Sequence, residues 1–292
     1  MKEKIVDFFK GICIGIANVI PGFSGGTMAV ILNIYEKVIY AFSNIFSHPI
    51  KVFKKLWTLF IGVIVGIVVS VLAIAKLLER FPLPTILFFI GLIIGSIPNV
   101  YASARKKAKV TSKDIVAFVV AIAMMVALPL INSHSFSGNV NIIILVMLFL
   151  MGIISAAAMV IPGISGSLVL MAFGYYLYIV TNIKALLAGF LALDFANLSS
   201  SFVTVLVFVI GCVLGAVYVA KLIHLLLKKH HQTVYFAILG LLIASPFVIV
   251  WMNYESLRNN IKIEPIIIGV ICLILGIISV VFSKRLTKKI DE

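Results

Sequence analysis

A helix breaker set inside an apolar run constrains this chain most, and the sequence contains it twice. Apolar residues run into IPGFSGG, Ile20 to Gly26, and resume directly after it. Proline removes a backbone donor, and paired glycines loosen the chain, so no helix continues through the stretch unaltered. The N–H and C=O groups set free there cost several kcal/mol each if they face hydrocarbon. The break must therefore face protein or a polar cavity. At a spacing of 141 residues ANVIPGFSGG is echoed by AMVIPGISGS, which pairs Ala17 with Ala158, Pro21 with Pro162, Gly22 with Gly163, Ser24 with Ser165 and Gly25 with Gly166.

The surroundings of both motifs are a lipid bilayer. Of 292 residues 63% are hydrophobic and 12% charged, against about 45–50% and about 25% in soluble domains. Several runs reach the roughly 20 apolar residues a crossing helix needs, and alternating ten-residue strands are absent. The fold class expected is therefore all-α, a polytopic membrane protein. The N-terminal MKEKIVDFFK and the apolar run after it look superficially like a signal peptide. They lead into Pro-Gly with no small-residue cleavage site, so the segment is expected to be retained. Cys13, Cys212 and Cys272 all lie in apolar segments without metal-ligand spacing, and are expected to be packing residues.

The net charge of +14 is explained by topology rather than by nucleic acid. Spanning helices are expected at about 57–79, 83–101, 114–131, 202–227, 234–252 and 264–283. The basic clusters then fall at Lys51, Lys54 and Lys55, from Arg105 to Lys113, from Lys228 to His231, and from Lys284 to Lys289. All of these reach one side only if residues 8–45 enter the membrane from the cytoplasm and return to it, and residues 141–181 do the same from outside. Both segments are thus expected to be re-entrant hairpins, and both termini cytoplasmic.

The duplication extends past the motifs. Gly11 recurs as Gly152, Tyr35 as Tyr176, Gly66 as Gly211 and Lys76 as Lys221, and GLIIGS from Gly91 returns as GLLIAS from Gly240. Residues 1–135 and 136–292 form two repeats, each with one hairpin and three spanning helices. An odd number of crossings turns the second repeat upside down, giving the inverted-topology architecture of many secondary transporters.

Ser24 and Ser165 stand where an N-cap opens the second half-helix of each hairpin, followed by Gly25, Gly26 and Thr27 or by Gly166 and Ser167. Two positive helix ends, each worth about half a charge, would together offset about one negative charge. That matches a singly charged anion or a phosphate monoester carrying one proton, and since no Lys or Arg lies at the middle of any expected span, the helix ends are the only obvious cation substitute there. The alternative is a tight turn between packed helices. GFSG and GISG also match the Gly-x-Ser-Gly of intramembrane serine proteases, but a nucleophilic serine needs a positioned base, and only His224 lies in a span. No carboxylate or histidine cluster suits metal-assisted phosphatase chemistry. The chain is read as a carrier and not an enzyme, with no metal or cofactor.

The block from Gly11 to Thr27, IYEKVI from Ile34 to Ile39, and AMVIPGISGS resemble the bacterial polyprenyl-phosphate transporter family of the PopT type, over essentially the whole chain. That resemblance implies an integral protein of the bacterial cytoplasmic membrane. It would return undecaprenyl phosphate, the lipid carrier of cell-wall synthesis, from the outer to the cytoplasmic leaflet. The family often carries an acidic residue where this chain has Asn18. A lipid phosphate could pass its head group through the protein while its tail stays in the bilayer. Lys76, Lys221 and Arg80 near the ends of spans suit capture of phosphate at the leaflets, or simply snorkel. Glu36 is the candidate for proton coupling or else an interfacial structural carboxylate, and Tyr35 and Tyr176 line the path or anchor helices. Self-association stays open. A small soluble anion is the second substrate class, favoured by a closed watery vestibule as a lateral opening favours lipid. A membrane assembly protein without substrate is the third, and would pack the hairpin tips dry.

Overall fold

In the computed structural model of the chain, residues 2–19, 24–70, 75–105, 109–131, 136, 140–192, 199–258 and 263–291 are described. Every regular element among them is helical. In chain order they are α1 (Lys2–Val19), α2 (Gly25–Ile31), α3 (Tyr35–Asn44), α4 (Pro49–Val69), α5 (Ala75–Arg80), α6 (Pro82–Ala104) and α7 (Ser112–Ala127). After the second motif's approach come α8 (Ile142–Val160), α9 (Gly166–Ala172), α10 (Tyr176–Ala192), α11 (Ser199–Lys229), α12 (His231–Met252), α13 (Tyr254–Arg258) and α14 (Ile263–Asp291). Among the described residues seven helices are long and apolar enough to cross a membrane: α4, α6, α7 with its 3₁₀ extension, α8, α11, α12 and α14. The chain is an all-α polytopic membrane protein.

Each of the six expected spans falls on one of these helices, and the largest difference is at the first. There α4 begins at Pro49 and ends at Val69, and α5 is a separate short helix. Proline at a first helical position has its φ already set and no N–H to lose, so the helix starts eight residues earlier than hydropathy alone suggests. Lys51, Lys54 and Lys55 consequently lie on the helix and not in a loop. The seventh helix, α8, is the first limb of the second hairpin, whose 19 apolar residues are uninterrupted.

The pairing of helices follows the repeat. If residues are matched motif to motif, α1, α4, α6 and α7 correspond to α8, α11, α12 and α14. The main contacts are α1 with α4 and α8 with α11, then α6 with α14 and α12 with α7, while α6 and α12 pack on each other. Small residues set the separations. A Cβ on Gly66 would collide with the Ile12 carbonyl, and one on its mate Gly211 with the Phe149 carbonyl. At the centre the repeat mates Ser96 and Ser245 are both buried. Each donates to a carbonyl three residues back, Ile93 at 2.7 Å and Leu242 at 2.9 Å.

After each motif the chain reverses through the same turn. Two residues past the end of α2 stands Asn33, with φ 55°, and two past the end of α9 stands Gly174, with φ 78°. In both, the next residue's N–H reaches back five positions, from Ile34 to the Ala29 carbonyl and from Tyr175 to the Leu170 carbonyl, each at 2.9 Å. That is the Schellman termination, which requires a left-handed residue that Gly accepts freely and Asn tolerates. The second reversal bends α10 by 116° from α9.

Candidate site at the hairpin tips

The first motif organises itself around two side-chain acceptors. Ser24 is extended (φ −121°, ψ 139°) and caps α2: its Oγ accepts from the Gly26 N–H at 3.1 Å. The Gly25 N–H donates to Asn18 Oδ1 at 3.1 Å, and Asn18 Nδ2 is fixed in turn by the Ile14 carbonyl at 3.1 Å. In the second motif Ser165 is also extended (φ −99°, ψ 135°), but its hydroxyl pairs with that of Ser167 at 2.7 Å and caps no backbone amide. Ser155 donates to the Gly166 carbonyl at 3.2 Å.

The expectation that both serines cap their helices is met by Ser24 and not by Ser165. At α2 the amides of Gly25 and Gly26 are already engaged by Asn18 and Ser24. Two substitutions between the repeats accompany this: the mate of Asn18 is Met159, and a thioether is a poor acceptor, while the mate of Gly26 is Ser167, whose hydroxyl engages that of Ser165. The first of these was visible in ANVIPG against AMVIPG.

The two motifs touch directly. The Gly163 N–H donates to Thr27 Oγ1 at 2.7 Å, and the Tyr35 hydroxyl donates to the Val160 carbonyl at 3.1 Å. A Cβ on Gly26 would stand 2.9 Å from the Met159 carbonyl oxygen. Ser24, Thr27, Ser165 and Tyr35 are all buried, as are Pro162, Gly163 and Gly166. Gly163 adopts φ 92°, a left-handed turn that a side chain would strain. Pro21 and Gly22 lie outside the described residues.

A cavity of about 430 Å³ begins at this contact. Asn18, Gly25 and Gly26 form one end of it, with Tyr35 alongside, and the remaining walls are apolar, with Ile39, Phe42, Phe60, Val63, Met159 and Val213 among them. No charged side chain lines it among the described residues. Asn18, Tyr35 and the backbone of Gly25 and Gly26 are its polar lining, whereas Ser24, Thr27, Ser165, Gly166 and Ser167 do not line it.

The other candidate residues lie elsewhere. Lys76 and Arg80 are exposed on α5 and Lys221 is exposed on α11; the Arg80 guanidinium stacks 5.6 Å from the Phe81 ring centre. None of the three lines the cavity. Tyr176, the mate of Tyr35, packs half-buried against the cluster around Leu148 and makes no counterpart of the Val160 bond. Glu36 Oε1 accepts from the Tyr235 hydroxyl at 2.8 Å and lies 3.2 Å from His231 Nε2, so it ties α3 to α12. Sequence reading missed a second tie at the same level. The buried Asp114 accepts from Thr233 at 2.7 Å, from Gln232 at 2.8 Å, and from the Thr111 N–H and hydroxyl at 2.8 Å each. The capping-box spacing of Thr111 and Asp114 in TSKD was the available signal.

Comparison with known proteins gives matches along the chain. A family model described as undecaprenyl phosphate translocase-like matches residues 14–266, which include both motifs. A protein of Staphylococcus aureus (strain NCTC 8325 / PS 47) named polyprenyl-phosphate transporter is 28% identical over 292 residues, covering 97% of this chain and 97% of its own. One of Vibrio cholerae serotype O1 (strain ATCC 39315 / El Tor Inaba N16961) with the same name is 28% identical over 269 residues, covering 87% and 80%. Both relatives are named as transporters, in keeping with a carrier and not an enzyme. No solved structure gives a significant match.

Proposed function

The chain belongs to the undecaprenyl phosphate translocase-like family, and from that membership we propose that it carries a polyprenyl phosphate, undecaprenyl phosphate in particular, across the bacterial cytoplasmic membrane. The observation that carries this reading is the form of the tip cavity. Its polar groups gather where the two motifs meet, and the rest of its wall is hydrocarbon. An amphiphile with one small anionic head fits such a space. A soluble anion would find little to hydrate it on the way in, and the cavity counts against dry-packed tips.

In this mechanism the phosphate sits between the N-termini of α2 and α9. Each helix is only seven residues long, so the nearby N–H groups matter more than the summed dipole. Ser165, Gly166 and Ser167 do not line the cavity as it stands, so the α9 amides are reached when Met159 and Ser155, which pack against Gly166, give way. Those of α2 become available when Asn18 and Ser24 turn their oxygens aside, and then the Asn18 amide and the Ser24 hydroxyl can themselves donate to phosphate. Such exchange of an internal acceptor for a ligand oxygen keeps the Gly25 and Gly26 amides paired in the empty protein.

The two repeats are inverted in this reading, with both termini cytoplasmic and each hairpin re-entrant. Supporting this, Lys37 near the start of α3 reaches Asp7 near the start of α1 at 2.6 Å, which holds both ends of the first hairpin at one level. Phe136, ahead of the second hairpin, likewise bonds the Gly174 carbonyl at that hairpin's reversal, at 2.9 Å. Transport runs from the outer to the cytoplasmic leaflet for reuse of the carrier. Lys76 and Arg80 at one face and Lys221 at the other attract the head group, and Glu36 is the group through which proton movement is coupled.

The test is a liposome assay with a labelled polyprenyl phosphate, reading how fast label in the inner leaflet becomes accessible to an impermeant quencher. Purified protein should accelerate exposure over empty liposomes, and Ser24→Leu and Ser165→Leu should each abolish the acceleration while still inserting. Wild-type rates in those variants would remove the tips as the site. No acceleration by the wild type, with and without a proton gradient, would redirect the reading to soluble anions.

A further inference from the structure

A second cavity, of about 660 Å³, lies at the membrane face where α1 and α3 begin, lined by Glu3, Lys37, His48, Lys51 and Lys55 among others. Its charges are unevenly matched. Lys37 is neutralised by Asp7 at 2.6 Å and Glu3 at 3.3 Å. Lys51 and Lys55, one turn apart on α4 with His48 just before the same helix, have no carboxylate within ion-pair distance among the described residues. Two uncompensated ammonium groups thus converge on one concave space.

An apolar groove of about 430 Å³ adjoins it, lined by Ile45, Ile50, Val52, Phe53 and Phe60, with Lys54 at its edge. Val52 borders both the groove and the basic cavity. Ile45 and Phe60 border both the groove and the cavity at the hairpin tips. Ile50 is 69% exposed and Phe53 64% exposed, so the groove faces outward. From Glu3 to Asn18 is 15 residues along α1, about 22 Å at the helical rise, which separates the basic cavity from the tips by most of a leaflet.

We propose that the cleft between α3 and α4 is a second binding station, in which Lys51 and Lys55 hold a phosphate monoester head while its prenyl chain lies in the groove formed by Ile50, Phe53 and Phe60. This inference rests on the polyprenyl-phosphate reading of the tips and gives that path a terminus. The chain of shared residues lets the tail stay in one continuous apolar track as the head moves between the Asn18, Gly25 and Gly26 end of the tip cavity and the lysines. Under the positive-inside rule this face is cytoplasmic, so the station is where the lipid is delivered. The same chemistry would suit an anionic phospholipid of that leaflet, but the groove's continuity with the tip cavity favours the transported lipid.

The experiment measures binding of farnesyl phosphate, a short prenyl monophosphate, to the full-length protein in nanodiscs of zwitterionic lipid by calorimetry. Each interfacial lysine is worth about 1 kcal/mol toward an anionic head group. Lys51→Gln with Lys55→Gln together should therefore weaken binding roughly tenfold or more, and the double arginine variant should bind within about twofold of wild type. Farnesol, which lacks the phosphate, should bind the wild type and the Gln variant alike. An unchanged affinity in the Gln variant overturns the station. So does inorganic phosphate competing as well as farnesyl phosphate, which would leave the groove without a role. Phosphatidylglycerol displacing farnesyl phosphate at equal concentration would assign the cavity to bilayer lipid and likewise overturn the proposal. If the wild type transports polyprenyl phosphate in the liposome assay while the Gln variant binds normally, this inference alone fails. If the wild type neither binds nor transports, the reading of the tips fails with it.

Discussion

At the scale of single residues, Thr27 joins the two motifs through one buried hydrogen bond. Its hydroxyl is the only acceptor found for the Gly163 N–H among the described residues, and both groups are buried. Thr27→Val keeps the shape and removes the oxygen, leaving a buried donor unpaired at about 1–3 kcal/mol. The expected outcome is a melting temperature in detergent several degrees lower and slower exposure of label in the liposome assay, with Thr27→Ser near wild type in both. Equal melting of Thr27→Val and wild type would show that water replaces the bond. The Ser24 cap could be read from the sequence, whereas the same capping logic applied to its mate Ser165 does not describe the second motif. The engagement of Gly25 by Asn18 could not be read, since it depends on a side chain seven residues away reaching across the break. The role of Tyr35 was half visible: the tyrosine repeats as Tyr176, yet only one copy is within reach of the opposite motif.

Between residue and molecule stand the helices, which were largely legible as apolar runs. Their ends were less so, because boundaries depend on local chemistry that hydropathy ignores, as Pro49 shows. The paired Schellman turns at Asn33 and Gly174 were legible in principle, but the repeat aligns Asn with Gly there and only backbone geometry reveals their equivalence. The contact of α1 with α4 depends on missing side chains. Gly66→Val would push against the Ile12 backbone, which cannot yield without moving the helix. Overpacking of this kind destabilises by about 1–3 kcal/mol or more. We expect earlier unfolding in a detergent melt, together with loss of transport. Gly269→Ala is the contrasting substitution, since an added Cβ meets only the end of the Leu87 side chain, at 2.6 Å, and that side chain can rotate away. Its melt should match wild type; equal losses in both variants would mean that helix propensity, not close approach, governs the glycines.

For the whole molecule, the sequence repeat and the correspondence of helix pairings agree, and the inverted arrangement drawn from them is open to labelling. In a cysteine-free background Glu3→Cys and His48→Cys should react with an impermeant maleimide only from the cytoplasmic side of oriented vesicles. Asn141→Cys and Lys184→Cys should react only from the opposite side. Glu3 and His48 labelling from different sides would make the first motif part of a true crossing, and the two-repeat topology would fall. The departures from symmetry are concentrated at the hairpins. α3 lies along α11, whereas among the described residues α10 has no matching contact with α4, and Glu36, which anchors α3 to α12, has Leu177 as its mate. A sequence repeat conveys the shared frame but not which copy has specialised.

The same pairings mean that neither half is finished by its own helices. The last helix of the first half, α7, lies on α12 of the second, and the last of the second, α14, lies on α6 of the first. A half-length chain of this design would have its central helix uncovered until a second copy lent it a final one. On the inverted topology proposed above, an ancestor that preceded the duplication would have been a homodimer with no fixed orientation in the bilayer, and fusing two copies would have settled which way up each half stands.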